Sequence, residues 1–130
     1  MTLSIKSVIR DALIVYGLTF AFGLGSAIAS LNMQHSPASV YLTNLLAGGV
    51  GFAIAGIRVS TYRAEHLIWV AVTFWTINLT NIVLGLQTYA AWIHSGVTIT
   101  LMAILGGLFA TILSHVSKSI RSYCQPAQIE

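Results

Sequence analysis

Residues 12–57 read ALIVYGLTFAFGLGSAIASLNMQHSPASVYLTNLLAGGVGFAIAGI and contain no Lys, Arg, Asp or Glu. At about 1.5 Å per residue, one helix of that length would be about twice as long as a hydrocarbon core of about 30 Å is thick. The stretch must therefore fold back once. The interruption Asn32-Met33-Gln34-His35-Ser36-Pro37 marks where, because Asn and Pro favour turns. Residues 66–117 form a second charge-free stretch of similar length. Its weak point is Leu86-Gln87-Thr88-Tyr89. The expected architecture is an all-α, four-span transmembrane bundle in one integral membrane domain over residues 1–130. Its spans lie near 12–31, 40–57, 67–86 and 89–113.

Composition agrees. Apolar residues make up 56% of the chain, charged residues 7%, and the mean hydropathy is +0.83. A soluble domain carries about 25% charge. A soluble enzyme, a disordered chain and a nucleic-acid module are excluded. Cys124 is the only cysteine, so there is no intramolecular disulfide framework either.

All six basic residues, Lys6, Arg10, Arg58, Arg63, Lys118 and Arg121, flank one side of the spans, and neither reversal carries any. The positive-inside rule puts that side, with both termini, in the cytoplasm. The expected location is a bacterial cytoplasmic membrane, multi-pass, with anionic lipid as the partner of the basic residues. Lys6, Arg10, the run Leu13–Leu24 and Ala27-Ile28-Ala29 also imitate a cleavable signal peptide. An apolar run of about 20 residues favours a retained span.

Small residues recur every four positions: Gly17, Ala21, Gly25 and Ala29 in span one, and Ala47, Gly51 and Ala55 in span two. Span four has two such stripes, Ala103-Gly107-Thr111 and Gly106-Ala110-Ser114. Residues four apart share a helix face, and small faces let helices pack closely in lipid. Two stripes on one span exceed what four helices need, so self-association or binding of another membrane protein is expected. Gly48-Gly49 and Gly106-Gly107 lie 58 residues apart on spans of the same direction, too little to establish a repeat.

Polar groups inside the spans are the remaining candidates, because burying them in hydrocarbon is costly. Asn44, Asn78, Asn81 and Thr98 fall at matching depths, Asn44 beside Asn81 and Thr98 beside Asn78, and are expected to point inward from spans two, three and four. Asp11 and Glu65 read as helix-start carboxylates beside Arg10 and Arg63. His35 and His94 toward one surface, and His66 and His115 toward the other, imitate a two-haem carrier, which needs two axial nitrogens per iron. His35 shares its loop with Pro37, a poor ligand platform.

No metal-spaced cluster, nucleophile–base motif or phosphate loop is present, so no catalytic residue, cofactor or metal is assigned. The chain also lacks the mid-depth Glu of small drug exporters, the Thr-Thr-Phe-Ser run of fluoride channels and the Asn-Phe-x-x-x-Arg-x-Trp stretch of lipid-linked sugar flippases. Two functional classes stand. One is an assembly or accessory subunit acting through small-residue faces. The other is a minimal transporter or channel, acting as an oligomer, with a path lined by span three.

Overall fold

The computed structural model describes residues 4–32, 37–59 and 61–124. These residues are helical throughout apart from short connections. The elements are α1 (Ile5–Asn32), α2 (Pro37–Ile57), α3 (Arg63–Ile77), α4 (Leu79–Val83) and α5 (Tyr89–Cys124). α3 and α4 together make one span, so four helical segments are long and apolar enough to cross a membrane: Ile5–Ala29, Ala38–Ile57, Arg63–Val83 and Tyr89–Ser117. α1 starts seven residues before the expected Ala12 and runs unbroken through Ala27-Ile28-Ala29. α5 continues well past Leu113. The charge-free stretches thus underestimate the helices, because charged side chains at a span end do not stop a helix. The first reversal, residues 33–36, lies outside the described residues.

The second reversal falls where the weak point lies. Gly85 sits at φ +71°. Its N–H bonds the Ile82 carbonyl, and the Leu86 N–H bonds the Asn81 carbonyl. This is a Schellman ending, which needs a left-handed residue that Gly adopts without strain. The Thr88 hydroxyl then accepts the Ala91 N–H at 3.2 Å and caps α5.

Round the bundle the order is α1, α2, α5, α3, and among the described residues the backbones of α1 and α5 do not approach each other closely. The parallel pair α2 and α5 packs most extensively. Glycine is required where they cross. A Cβ on Gly106 would lie 2.6 Å from the Gly49 carbonyl oxygen, and one on Gly56 would lie 2.8 Å from the Ala110 Cβ. The two Gly-Gly dipeptides therefore meet at one crossing. Gly51 approaches the Val15 backbone, a Cβ there being 3.2 Å from the Val15 Cα. Ala47 and Ala55 are buried. Ala103 and Gly107 face α3, with Leu67 Cδ1 3.1 Å from a Gly107 Cβ. On α5, Gly106 and Ala110 are thus buried against α2, while Ala103 and Gly107 are half-buried beside α3 and Thr111 is exposed. The stripe left over is on α1, where Gly17 and Gly25 have open space around them and Ala21 is exposed.

Candidate functional site: a polar cleft and a buried ion pair

The inward stripe of α1 is Val8, Asp11, Ala12, Val15 and Thr19, all under 9% exposed. Their spacing is that of one helix face. Asp11 belongs to this stripe and is 1% exposed. The inward stripe of α3 is His66, Leu67, Val70 and Phe74, and His66 is 2% exposed. The two stripes face each other, and His66 Nε2 lies 3.0 Å from Asp11 Oδ2. Asp11 Oδ1 accepts from Arg10 Nε at 2.9 Å and from Arg58 Nη1 at 3.3 Å. Three helices are thus tied to one carboxylate at the basic end of the bundle. The sequence reading of Asp11 as an interfacial helix-start acid is corrected here. With α1 starting at Ile5, Asp11 lies in the second turn and on the buried face. Glu65 does sit in the first turn of α3 and is exposed.

Next along the axis comes an apolar layer of Val15, Phe52, Val70 and Phe74, all buried. Phe52 and Phe74 meet edge to face at 6.3 Å. Beyond it a cleft of about 520 Å³ opens toward the Gln87 reversal. Asn44, Asn78, Asn81 and Thr98, the four candidates singled out in the sequence, all line it, together with Tyr16 and Thr19.

The bonds differ from those expected. The Tyr16 hydroxyl donates to Asn81 Oδ1 at 3.0 Å. Asn81 Nδ2 donates to Asn78 Oδ1 at 2.9 Å, and Asn78 Nδ2 to the Phe74 carbonyl at 3.2 Å. Asn81 is therefore held by span one rather than by Asn44, and the Thr98 hydroxyl lies 3.4 Å from the Tyr41 hydroxyl instead of pairing with Asn78. Nothing in the sequence singles out Tyr16, whose long side chain reaches across the bundle from a helix whose other polar groups look local. Asn44 Oδ1 is buried and has no hydrogen-bond partner. An unpaired buried acceptor costs about 1–3 kcal/mol.

The span itself breaks at this depth. α3 ends at Ile77, and α4 restarts at Leu79 with an Asn81 N–H to Asn78 carbonyl bond of the tighter three-residue type. Irregular backbone at membrane depth is tolerated where it is buried in protein or lines a cavity, and Asn78 lines this one.

The histidines are placed apart from one another's roles. His66 is engaged with Asp11, and the His94 ring nitrogen Nδ1 lies 2.7 Å from the Ala90 carbonyl of its own helix. His115 lies exposed on α5, and His35 is outside the described residues. Among the described residues no three His, Cys, Asp or Glu side chains gather as a metal site would require. Comparison with known protein families, with curated proteins and with solved structures gives no match to this chain.

Proposed function

We propose that the chain is a multi-pass protein of a bacterial cytoplasmic membrane, with both termini cytoplasmic, that binds a small uncharged polar solute in the cleft and passes it across. The orientation rests on the one-sided placement of all six basic residues. The solute path rests chiefly on one observation. Tyr16, Asn44, Asn78 and Asn81 converge on a cleft beside a broken span, and Asn44 presents a buried acceptor that no protein group satisfies. In this reading the cleft is the outward vestibule. The layer Val15, Phe52, Val70 and Phe74 is the seal, and the break at Asn78 is where α3 and α4 flex to open it.

The test is osmotic recovery of proteoliposomes with glycerol or urea as the probe. Recovery should be faster than in protein-free vesicles, and Asn44→Leu should remove the difference while helix content is unchanged. Equal recovery by wild type and protein-free vesicles would refute the path.

The accessory-subunit reading has its own support, the open face of Gly17, Ala21 and Gly25 on α1. Close packing of another span against it would make this chain one part of an oligomer or hetero-complex. A partner that co-purifies and is lost on Gly17→Leu would favour that role.

A further inference from the structure

A second concavity, about 750 Å³, lies on the outer surface of the bundle between α3 and α5, apart from the solute cleft. Its floor is apolar and includes Leu67, Ala103 and Gly107. From Thr100 to Ser114 it follows α5 for about 21 Å at about 1.5 Å per residue. One leaflet of hydrocarbon is about 15 Å deep, half of a core of about 30 Å. The groove is therefore long enough for one acyl chain.

Its mouth is charged. Arg63 is the first residue of the third span, so it stands at head-group depth. Its Nε donates to the Val59 carbonyl at 3.2 Å, and its Nη1 to the Thr111 and Ser114 hydroxyls at 3.1 and 3.4 Å. Those hydroxyls donate in turn to the Gly107 and Thr111 carbonyls of their own helix. They orient the guanidinium without neutralising it. Among the described residues Arg63 makes no ion pair: Asp11 is taken by Arg10, Arg58 and His66, and Glu65, two positions on, forms no salt bridge with it. Its Nη2 has no partner there either. A half-buried cation at the mouth of a leaflet-long apolar groove is complementary to one molecule, an anionic amphiphile.

We propose that this groove is a binding site for an anionic phospholipid, with one acyl chain between α3 and α5 and the phosphate on Arg63. A second copy docking through this same groove is a poorer occupant, because it would bring the same unpaired cation.

The experiment uses the full chain, delipidated in mild detergent. It is titrated with phosphatidylglycerol or phosphatidylcholine of identical acyl chains, and bound lipid is counted by native mass spectrometry. Phosphatidylglycerol should bind about fivefold more tightly, the preference that one basic group near an anionic head group confers. Arg63→Gln should remove the preference, and Lys6→Gln, at an exposed position away from the groove, should keep it. Ala103→Phe, which fills the floor, should reduce binding of both lipids. The proposal is overturned if Arg63→Gln keeps the preference, or if Lys6→Gln loses it equally. It also fails if glycerol phosphate alone displaces the lipid, which would mark a free-phosphate site. Failure of Ala103→Phe to weaken binding, or a second protein copy in place of lipid, would likewise refute it.

Discussion

Trp75 and Trp92 make the same bond to each other twice. The Trp75 Nε1–H donates to the Trp92 carbonyl at 3.1 Å, and the Trp92 Nε1–H donates to the Trp75 carbonyl at 3.0 Å. Their rings stack 4.4 Å apart and 2° from parallel. Indole N–H groups buried in lipid need an acceptor, and here each ring supplies its partner helix with a donor where the backbone has a spare lone pair. The pair clamps α3 to α5 just before the break at Asn78, so any bending of the span is confined to the residues beyond it.

Trp92→Phe removes one of these bonds and should cost about 1 kcal/mol. Trp75→Phe should cost a similar amount. Because the rings also stack, the double substitution should depart from the sum of the singles by at least about 0.5 kcal/mol. Unfolding in mixed detergent micelles measures all three, and strict additivity would show two independent bonds.

Asp11→Ala strips the carboxylate from His66, Arg10 and Arg58 at once. Breaking a buried pair by removing one partner costs about 3–5 kcal/mol. Asp11→Asn keeps an acceptor and should cost clearly less. Adding His66→Leu to Asp11→Ala should restore part of the loss, because an apolar pair leaves nothing unsatisfied. The same unfolding measurement decides; if Asp11→Ala is tolerated within about 0.5 kcal/mol, the pair does not hold the helices together.

Why the spans were legible and this pair was not has a physical cause. Nine charges in three clusters delimit four hydrophobic lengths directly, and the polar groups Asn44, Asn78, Asn81 and Thr98 could be aligned by counting residues from the reversals. Both rest on depth, which a linear sequence records. Azimuth is recorded poorly, because a helix facing lipid on one side and protein on the other is apolar all round. So the shared face of Val8, Asp11, Ala12 and Val15 passes unnoticed, and Asp11 reads as an end charge. The same limit hides Tyr16 and the direction of Asn81. Glycine stripes show closeness without naming a partner. The stripes on α5 pointed to a neighbouring subunit as readily as to α2, against which Gly106 and Ala110 pack, or to α3, beside which Ala103 and Gly107 lie half-buried.

The glycine contacts separate two kinds of position. Gly106→Ala places a methyl against the Gly49 carbonyl and Phe52 and should destabilise by about 1–3 kcal/mol through overpacking. Gly51→Leu should be worse, because it drives a whole isobutyl group, not one methyl, against the Val15 backbone and side chain. Gly17→Leu meets open space and should leave the monomer's stability unchanged. If Gly17→Leu lowers the oligomer population in size-exclusion chromatography with light scattering, the α1 face is an association surface. If it changes neither stability nor mass, that face contacts only lipid.

Orientation is tested by thiol labelling in a Cys124→Ser background. With both termini cytoplasmic, Ser36→Cys should react with a membrane-impermeant reagent added outside intact cells. Ser60→Cys should react only after permeabilisation. The opposite pattern would invert the molecule and turn the cleft toward the cytoplasm.

α1 packs against α2 and α3 and reaches α4 through the Tyr16–Asn81 bond, and open space surrounds Gly17, Gly23 and Gly25 along its half beyond Val15. Its charged fastening, the carboxylate of Asp11, lies close to the N-terminal end. A tether pulling on that end would load this fastening first, and the remaining contacts would then yield turn by turn like tape lifted from its edge. A pull from the other terminus would load α5 against α2 through the glycine crossing, where backbones touch along a broad seam and must shear together. The molecule is therefore mechanically anisotropic, yielding when peeled from the start of the chain and resisting when dragged from its end.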